Sequence, residues 1–197
     1  MPTQTVPLPK LKLISTAADL VYKQGWNATG INQILGEAQV PKGSFYYYFQ
    51  SKEDLGVAII KHHSEQFEQI YSKTILNDTL TGRQGIENYF LEAIAQFKAN
   101  GLRWGCPVGS FSNEVADTTA KIADACREFM TRFFAVLQSS IERGQKDGSI
   151  KAKQDSMTLA LELTAIWQGA LLCMKTLRSN VPLEVAISAV SKILSSG

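Results

Sequence analysis

Residues 29–55 read TGINQILGEAQVPKGSFYYYFQSKEDL, and the order of apolar, polar and turn residues within that stretch decides the fold. Thr29 stands where an N-cap belongs, and Ile31, Ile34 and Leu35 recur on one face of a short helix running from Gly30 to about Ala38. The segment QVPKGS interrupts that helix, and KGSFYYYF begins another. Upstream, Leu13, Ile14, Ala17, Ala18, Leu20 and Val21 keep helical spacing until Gly25, a C-cap residue. Three helices with a short turn between the second and third form a helix-turn-helix, whose third helix enters the major groove of double-stranded DNA. Phe45 and Phe49, at i and i+4, lock that helix inward. Lys42, Ser44, Tyr47 and Tyr48 are left facing outward, with Tyr46 on the flank and Gly43 among them. Tyrosine hydroxyls bond well to phosphate oxygens, and a glycine admits the DNA backbone closely. Lys52 then opens the next helix with a cation beside free main-chain N–H groups, and Ser51 with Asp54 reads as a capping box starting a helix that ends near Lys73.

Working outward, prolines 2, 7 and 9 predict an extended start, and no strand-period alternation appears. Breaks fall at Asn77–Gly82, Asn100–Gly105, Gly144–Gly148 and Ser179–Pro182. Helical patterns lie between them at about 84–99, 107–115, 118–144, 155–177 and 183–195. The expectation is an all-α chain of about nine helices. A tail (1–9) precedes a DNA-binding head (10–54) and a regulatory and dimerisation body (55–197).

With 45% hydrophobic residues in 197, the chain can bury a core without metal or disulfide staples. Net charge is only +2, but residues 1–52 carry five lysines against Asp19 and Glu37, a basic head on a near-neutral body. No secretory signal opens the chain. The most apolar run, 157–177, is broken by Glu162, Gln168 and Lys175, which favours a buried helix over a membrane span. Cysteines 106, 126 and 173 lack CxxC or Cys/His spacing, so neither a metal site nor a disulfide framework is expected. No cofactor motif is present, and the default location is the reducing cytoplasm. Cys126 and Cys173 fall inside apolar helical patterns and read as core.

Cys106 reads differently, because Pro107 after it suits the first turn of a helix. A thiol at a helix start meets unpaired N–H groups that favour the reactive thiolate, and Arg103 is close in sequence. Cys106 as a small buried hydrophobe stands beside that reading. Two other functions stay open on the residues alone. Trp104, Phe111 and Trp167 are candidates to line a pocket for a non-covalent apolar inducer. A small thiol enzyme built on Cys106 is the third reading, disfavoured because no histidine is placed beside it; His62 and His63 are expected to be exposed.

Residues 29–55 resemble the helix-turn-helix signature of the TetR family of repressors, with Tyr46, Phe49, Lys52 and Leu55 matching its Tyr-x-x-Phe-x-x-Lys-x-x-Leu run. The resemblance implies that Thr29, Tyr46 and Lys52 hold the phosphate backbone, while Lys42, Gly43, Ser44 and Tyr48 approach base edges. It also implies a homodimer formed through the last two long helices, on operator DNA. "VPKGSFYYYF", the "GC" before a helix carrying "NEVAD", and "MKTLRS" are similar to the electrophile-sensing NemR branch of that family. That likeness implies a repressor released by oxidants or electrophiles through Cys106, with Lys175 as its helper. Ala116 stands where a second cysteine can occur in that branch, so a one-cysteine switch is expected.

Overall fold

The computed structural model describes residues 6–103 and 105–196, which hold nine helices and no strand. In chain order these are α1 (Leu8–Gln24), α2 (Ile31–Ala38), α3 (Lys42–Tyr48), α4 (Lys52–Lys73), α5 (Gly82–Ala99), α6 (Pro107–Val115), α7 (Ala120–Asp147), α8 (Ser156–Leu177) and α9 (Val181–Ser195). Two compact units share them. One comprises residues 1–64 and 107–127; the other comprises 65–106 and 128–197. The chain passes from one to the other within α4, between Cys106 and Pro107, and within α7.

In the first unit α1, α2 and α3 pack on one another around Leu13, Ala17, Ile34 and Phe45, all without exposed surface. Gly25 ends α1 with φ of 89°, as its place in the sequence predicts. The helix nevertheless begins at Leu8, inside the stretch expected to be extended. Pro9 occupies its first turn, where a missing N–H removes no helical bond. Ser51 and Asp54 cap α4 in the expected way. The Asp54 N–H donates to Ser51 Oγ at 3.2 Å, and the Asp54 carboxylate accepts from the Gln50 N–H at 3.1 Å.

The second unit is held by α8 against α9 and α9 against α5, around Ile86, Leu137, Leu163, Met174, Leu183 and Leu194. A full capping box starts α5: Thr81 Oγ1 accepts from the Gln84 N–H and the Gln84 side chain accepts from the Thr81 N–H. Arg83 fastens α5 to α9, donating to Ser191 Oγ at 2.6 Å and Ser195 Oγ at 2.8 Å.

Gly144 is a correction. Read as a break, it lies inside α7, which runs on to Asp147. A Cβ on Gly82 would come within 2.2 Å of the Ser140 carbonyl and 2.3 Å of the Gly144 nitrogen. A Cβ on Gly144 would meet Ile150 Cδ1 at 2.5 Å. Both glycines are packing residues that bring main chains into contact.

Cys173 is a second correction, being exposed rather than core. By length and composition α8 is apolar enough to cross a membrane, yet less than half of its most apolar window is buried within the chain. Its excess apolar residues point outward. Leu161, Leu172 and Leu177 on α8 are exposed, as are Val181 and Val185 on α9. Between the two helices runs a groove of about 660 Å³ lined by Gly169, Cys173, Leu177, Val181, Val185 and Ala189, among others.

Candidate nucleic-acid interface and sensor cysteine

The outward face of α3 follows from how its inward face is anchored. Phe45 is fully buried and Phe49 is 3% exposed, their ring centroids 5.6 Å apart. The turn before α3 is set by Gln39, whose left-handed φ of 53° lets its N–H reach the Gly36 carbonyl, and by Val40, which is buried. With α3 so fixed, Tyr47 is 82% exposed and Tyr46 54% exposed. Lys42 and Gly43 are exposed, while Ser44 and Tyr48 are half-buried. Tyr47 and Tyr48 meet edge to face at 4.9 Å, the arrangement that aromatic pairs favour. A Cβ on Gly43 would meet nothing within 4 Å, so the fold itself does not require glycine there. Two large amphipathic rings, a cation and a bare stretch of main chain make a surface suited to phosphate and groove contact.

Thr29 and Lys52, expected to hold the phosphate backbone, also make contacts within the head. Gly30, not Thr29, is the N-cap residue of α2. Thr29 is fully buried, and its hydroxyl donates to the Gly25 carbonyl at 2.7 Å. The Lys52 ammonium donates to the Trp26 carbonyl at 2.7 Å and lies 4.2 Å above the indole ring. Partial burial lowers its pKa, opposed by the charges of Glu53 and Glu114.

Sequence reading misses what surrounds Trp26. The indole packs on Phe111 of α6 at 5.2 Å. One turn further along α6, Glu114 accepts from the main-chain N–H groups of Trp26 and Asn27, each at 3.1 Å. No local signal marks these contacts, since 88 positions separate Glu114 from Trp26.

In the second unit, half-buried Cys106 is the residue immediately before α6, whose first residue is Pro107 as expected. Lys175 is half-buried in the last turn of α8, its Cδ 3.8 Å from where a Cβ of Gly105 would stand. The structure therefore brings Lys175 to the residue next to Cys106. Arg103 is exposed. Buried Tyr89 has its phenol pKa raised well above the ordinary value, first by desolvation and then by the charge of Cys106.

Two of the residues considered for an apolar pocket are packed against neighbours. Trp104 lies outside the described residues. Phe111 is fully buried against Trp26, and Trp167 packs on Phe90 at 4.8 Å. His63, expected to be exposed, is buried beside the Tyr22 hydroxyl, and desolvation pushes its pKa down to about 3. Cys126 is buried, as expected for core.

Comparison with known proteins gives these features a context. Residues 13–59 match the model of the bacterial regulatory proteins of the tetR family, and residues 82–190 match that of the tetracyclin repressor-like C-terminal domain. The HTH-type transcriptional repressor NemR of Escherichia coli K12 is 31% identical over 182 residues, spanning 92% of each chain. The crystal structure of E. coli NemR in its reduced form superposes with a TM-score of 0.84, covering 94% of this chain and 97% of that one. The regulatory protein TetR from Rhodobacter sphaeroides superposes with a TM-score of 0.89 at 25% identity, covering 95% and 99%.

Proposed function

The chain belongs to the TetR family of bacterial transcriptional regulators, and on that premise we propose that it is a homodimeric repressor released from its operator by oxidants or electrophiles acting on Cys106. The single observation that carries the inducer reading is the placement of Lys175 against the residue preceding a half-buried cysteine at a helix start. An ammonium there stabilises the thiolate, which is the form that attacks electrophiles. Once hypochlorite has oxidised the thiolate to a sulfenyl chloride, the Lys175 amine would displace chloride to close an S–N bond, losing a proton. The reading gains from the 31% identity to the repressor NemR, whose own crystal structure is of a reduced form.

On DNA, Lys42, Gly43, Ser44, Tyr46, Tyr47 and Tyr48 form the contacting face of α3. Lys52, with donors beyond the one bonded to Trp26, completes the proposed set, and Thr29 supports it from inside the head through its bond to the Gly25 carbonyl. Two copies paired through the exposed apolar residues of α8 and α9 supply two such helices, as half-sites ~34 Å apart require. Burying Leu161, Leu172, Leu177, Val181 and Val185 in that pairing removes them from water. The protein works in the cytoplasm, where operator DNA is found and thiols are kept reduced. Tail, head and body, as 1–9, 10–54 and 55–197, remain the proposed functional division.

Release is a population shift. Modified Cys106 favours dimers whose α3 helices do not match the half-sites, and a coupling of about 1–3 kcal/mol changes operator affinity by 5–150-fold. The test is a gel-shift titration of wild type and Cys106→Ser with hypochlorite or a quinone. Release of wild type alone is expected; equal release of both refutes the thiol mechanism.

A further inference from the structure

Trp26 sits in an arrangement built like a latch. Gly25 ends α1 with φ of 89°, which turns the Trp26 and Asn27 N–H groups to one side. Both are taken by one carboxylate, Glu114, through its two separate oxygens. A Cβ on Gly25 would stand 3.0 Å from both oxygens, so the glycine leaves the seat the carboxylate fills. The indole of Trp26 is gripped at the same time by Phe111 of α6 and by the Lys52 ammonium of α4. A Cβ on Gly56 would reach that ring at 2.9 Å. The same short segment, residues 25–29, carries the buried Thr29 hydroxyl bond and leads directly into α2. Whatever fixes it fixes the entry to the helix-turn-helix.

α6 is the element that grips this turn, and its first residue follows Cys106 in the chain. We infer that Glu114 is a positioning residue for operator binding: its carboxylate holds the Trp26–Asn27 turn, and through it the state of α6 sets α2 and α3. Glu114 touches no DNA in this scheme. It acts as an acceptor of two charge-assisted bonds, a function that an amide serves in part and an alanine not at all. Only the induction arm of the inference rests on the proposed role of Cys106.

The experiment uses the full-length protein and the duplex it selects from random DNA, with Kd read by fluorescence anisotropy. Glu114→Gln is expected to weaken binding to that duplex about threefold and Glu114→Ala about tenfold. Affinity for a scrambled duplex should stay unchanged, which a general loss of fold would not allow. Alkylating Cys106 with N-ethylmaleimide, in a background of Cys126→Ser and Cys173→Ser, should weaken selective binding of the otherwise wild-type protein but add little to Glu114→Ala. Hydrogen exchange in the unmodified wild type gives an arm that needs no variant. The Trp26 and Asn27 amides should exchange at least about tenfold slower than in an unstructured chain. Random-coil exchange at both amides overturns the inference, as does wild-type selective affinity in Glu114→Ala. Should alkylation leave the parent's affinity unchanged while Glu114→Ala still loses it, the Cys106 reading fails and the latch stands.

Discussion

Gly25→Ala puts a defined load on the turn that opens the helix-turn-helix. At φ 89° and ψ 164° the residue lies in a region that essentially only glycine occupies, and forcing alanine into it costs about 1–3 kcal/mol. The added methyl would also stand 3.0 Å from both Glu114 oxygens. To clear it the carboxylate retreats by a few tenths of an ångström, stretching two bonds that are already 3.1 Å long. Weakening that pair costs about 1 kcal/mol more. The expected loss is therefore about 3 kcal/mol, or roughly 6–12 °C in Tm for a chain of this size. Urea unfolding at a fixed protomer concentration measures it, because the stability of the proposed dimer would depend on concentration. The decisive comparison adds Glu114→Ala. Without the carboxylate, the alanine methyl keeps only its backbone strain, so the double variant should fall short of the sum by about 1 kcal/mol. A loss under about 0.5 kcal/mol for Gly25→Ala, or strict additivity with Glu114→Ala, refutes the reasoning.

Other perturbations test separate parts of the molecule. Gly82→Ala drives a methyl into the Ser140 carbonyl and the Gly144 nitrogen, neither of which can rotate away; calorimetry should show a loss of at least about 3 kcal/mol. His63 is held neutral with its pKa pushed down to about 3, below the unfolded value. Its contribution is thus complete above pH ~6.5 and drains away by about 1.4 kcal/mol per pH unit as pH falls toward the folded value. His63→Leu should flatten that part of the stability–pH curve in urea titrations. Val185→Glu places a charge on the exposed apolar face of α9; sedimentation should show the mass falling from dimer to monomer, with loss of specific DNA binding. Tyr47→Ala removes the most exposed ring of α3 and should weaken binding to the selected duplex about tenfold without lowering Tm.

The head was legible because its signals are local. Phe45, Phe49 and Gly25 each announce their part through residues close to them in sequence, and the structure seats each accordingly. Thr81 and Gln84 offered the same kind of signal for the start of α5, a capping box written as TGRQ that the periodicity alone did not place. Gly144 shows why glycine is ambiguous. Its lack of a side chain reads as a break, but the reason for it is Ile150 and Gly82, residues supplied by tertiary packing. Cys173 misled for a related reason: α8 is apolar on two faces, one against the core and one outward, and pattern alone does not say which face a residue joins. His63 was misjudged because burial midway along α4 depends on neighbours remote in sequence. The long-range contacts of Glu114 leave no local trace at all.

Trp26 carries one more consequence, for anyone wishing to watch this protein work. Its indole is 4% exposed, lies under an ammonium at 4.2 Å, and has a carboxylate on its own main-chain N–H. The emission of such a chromophore responds to a shift of either charge and to entry of water. Replacing Trp104 and Trp167 with phenylalanine leaves it as the sole tryptophan of the chain. The head then has an intrinsic optical gauge, readable in a stopped-flow cell without any dye or label.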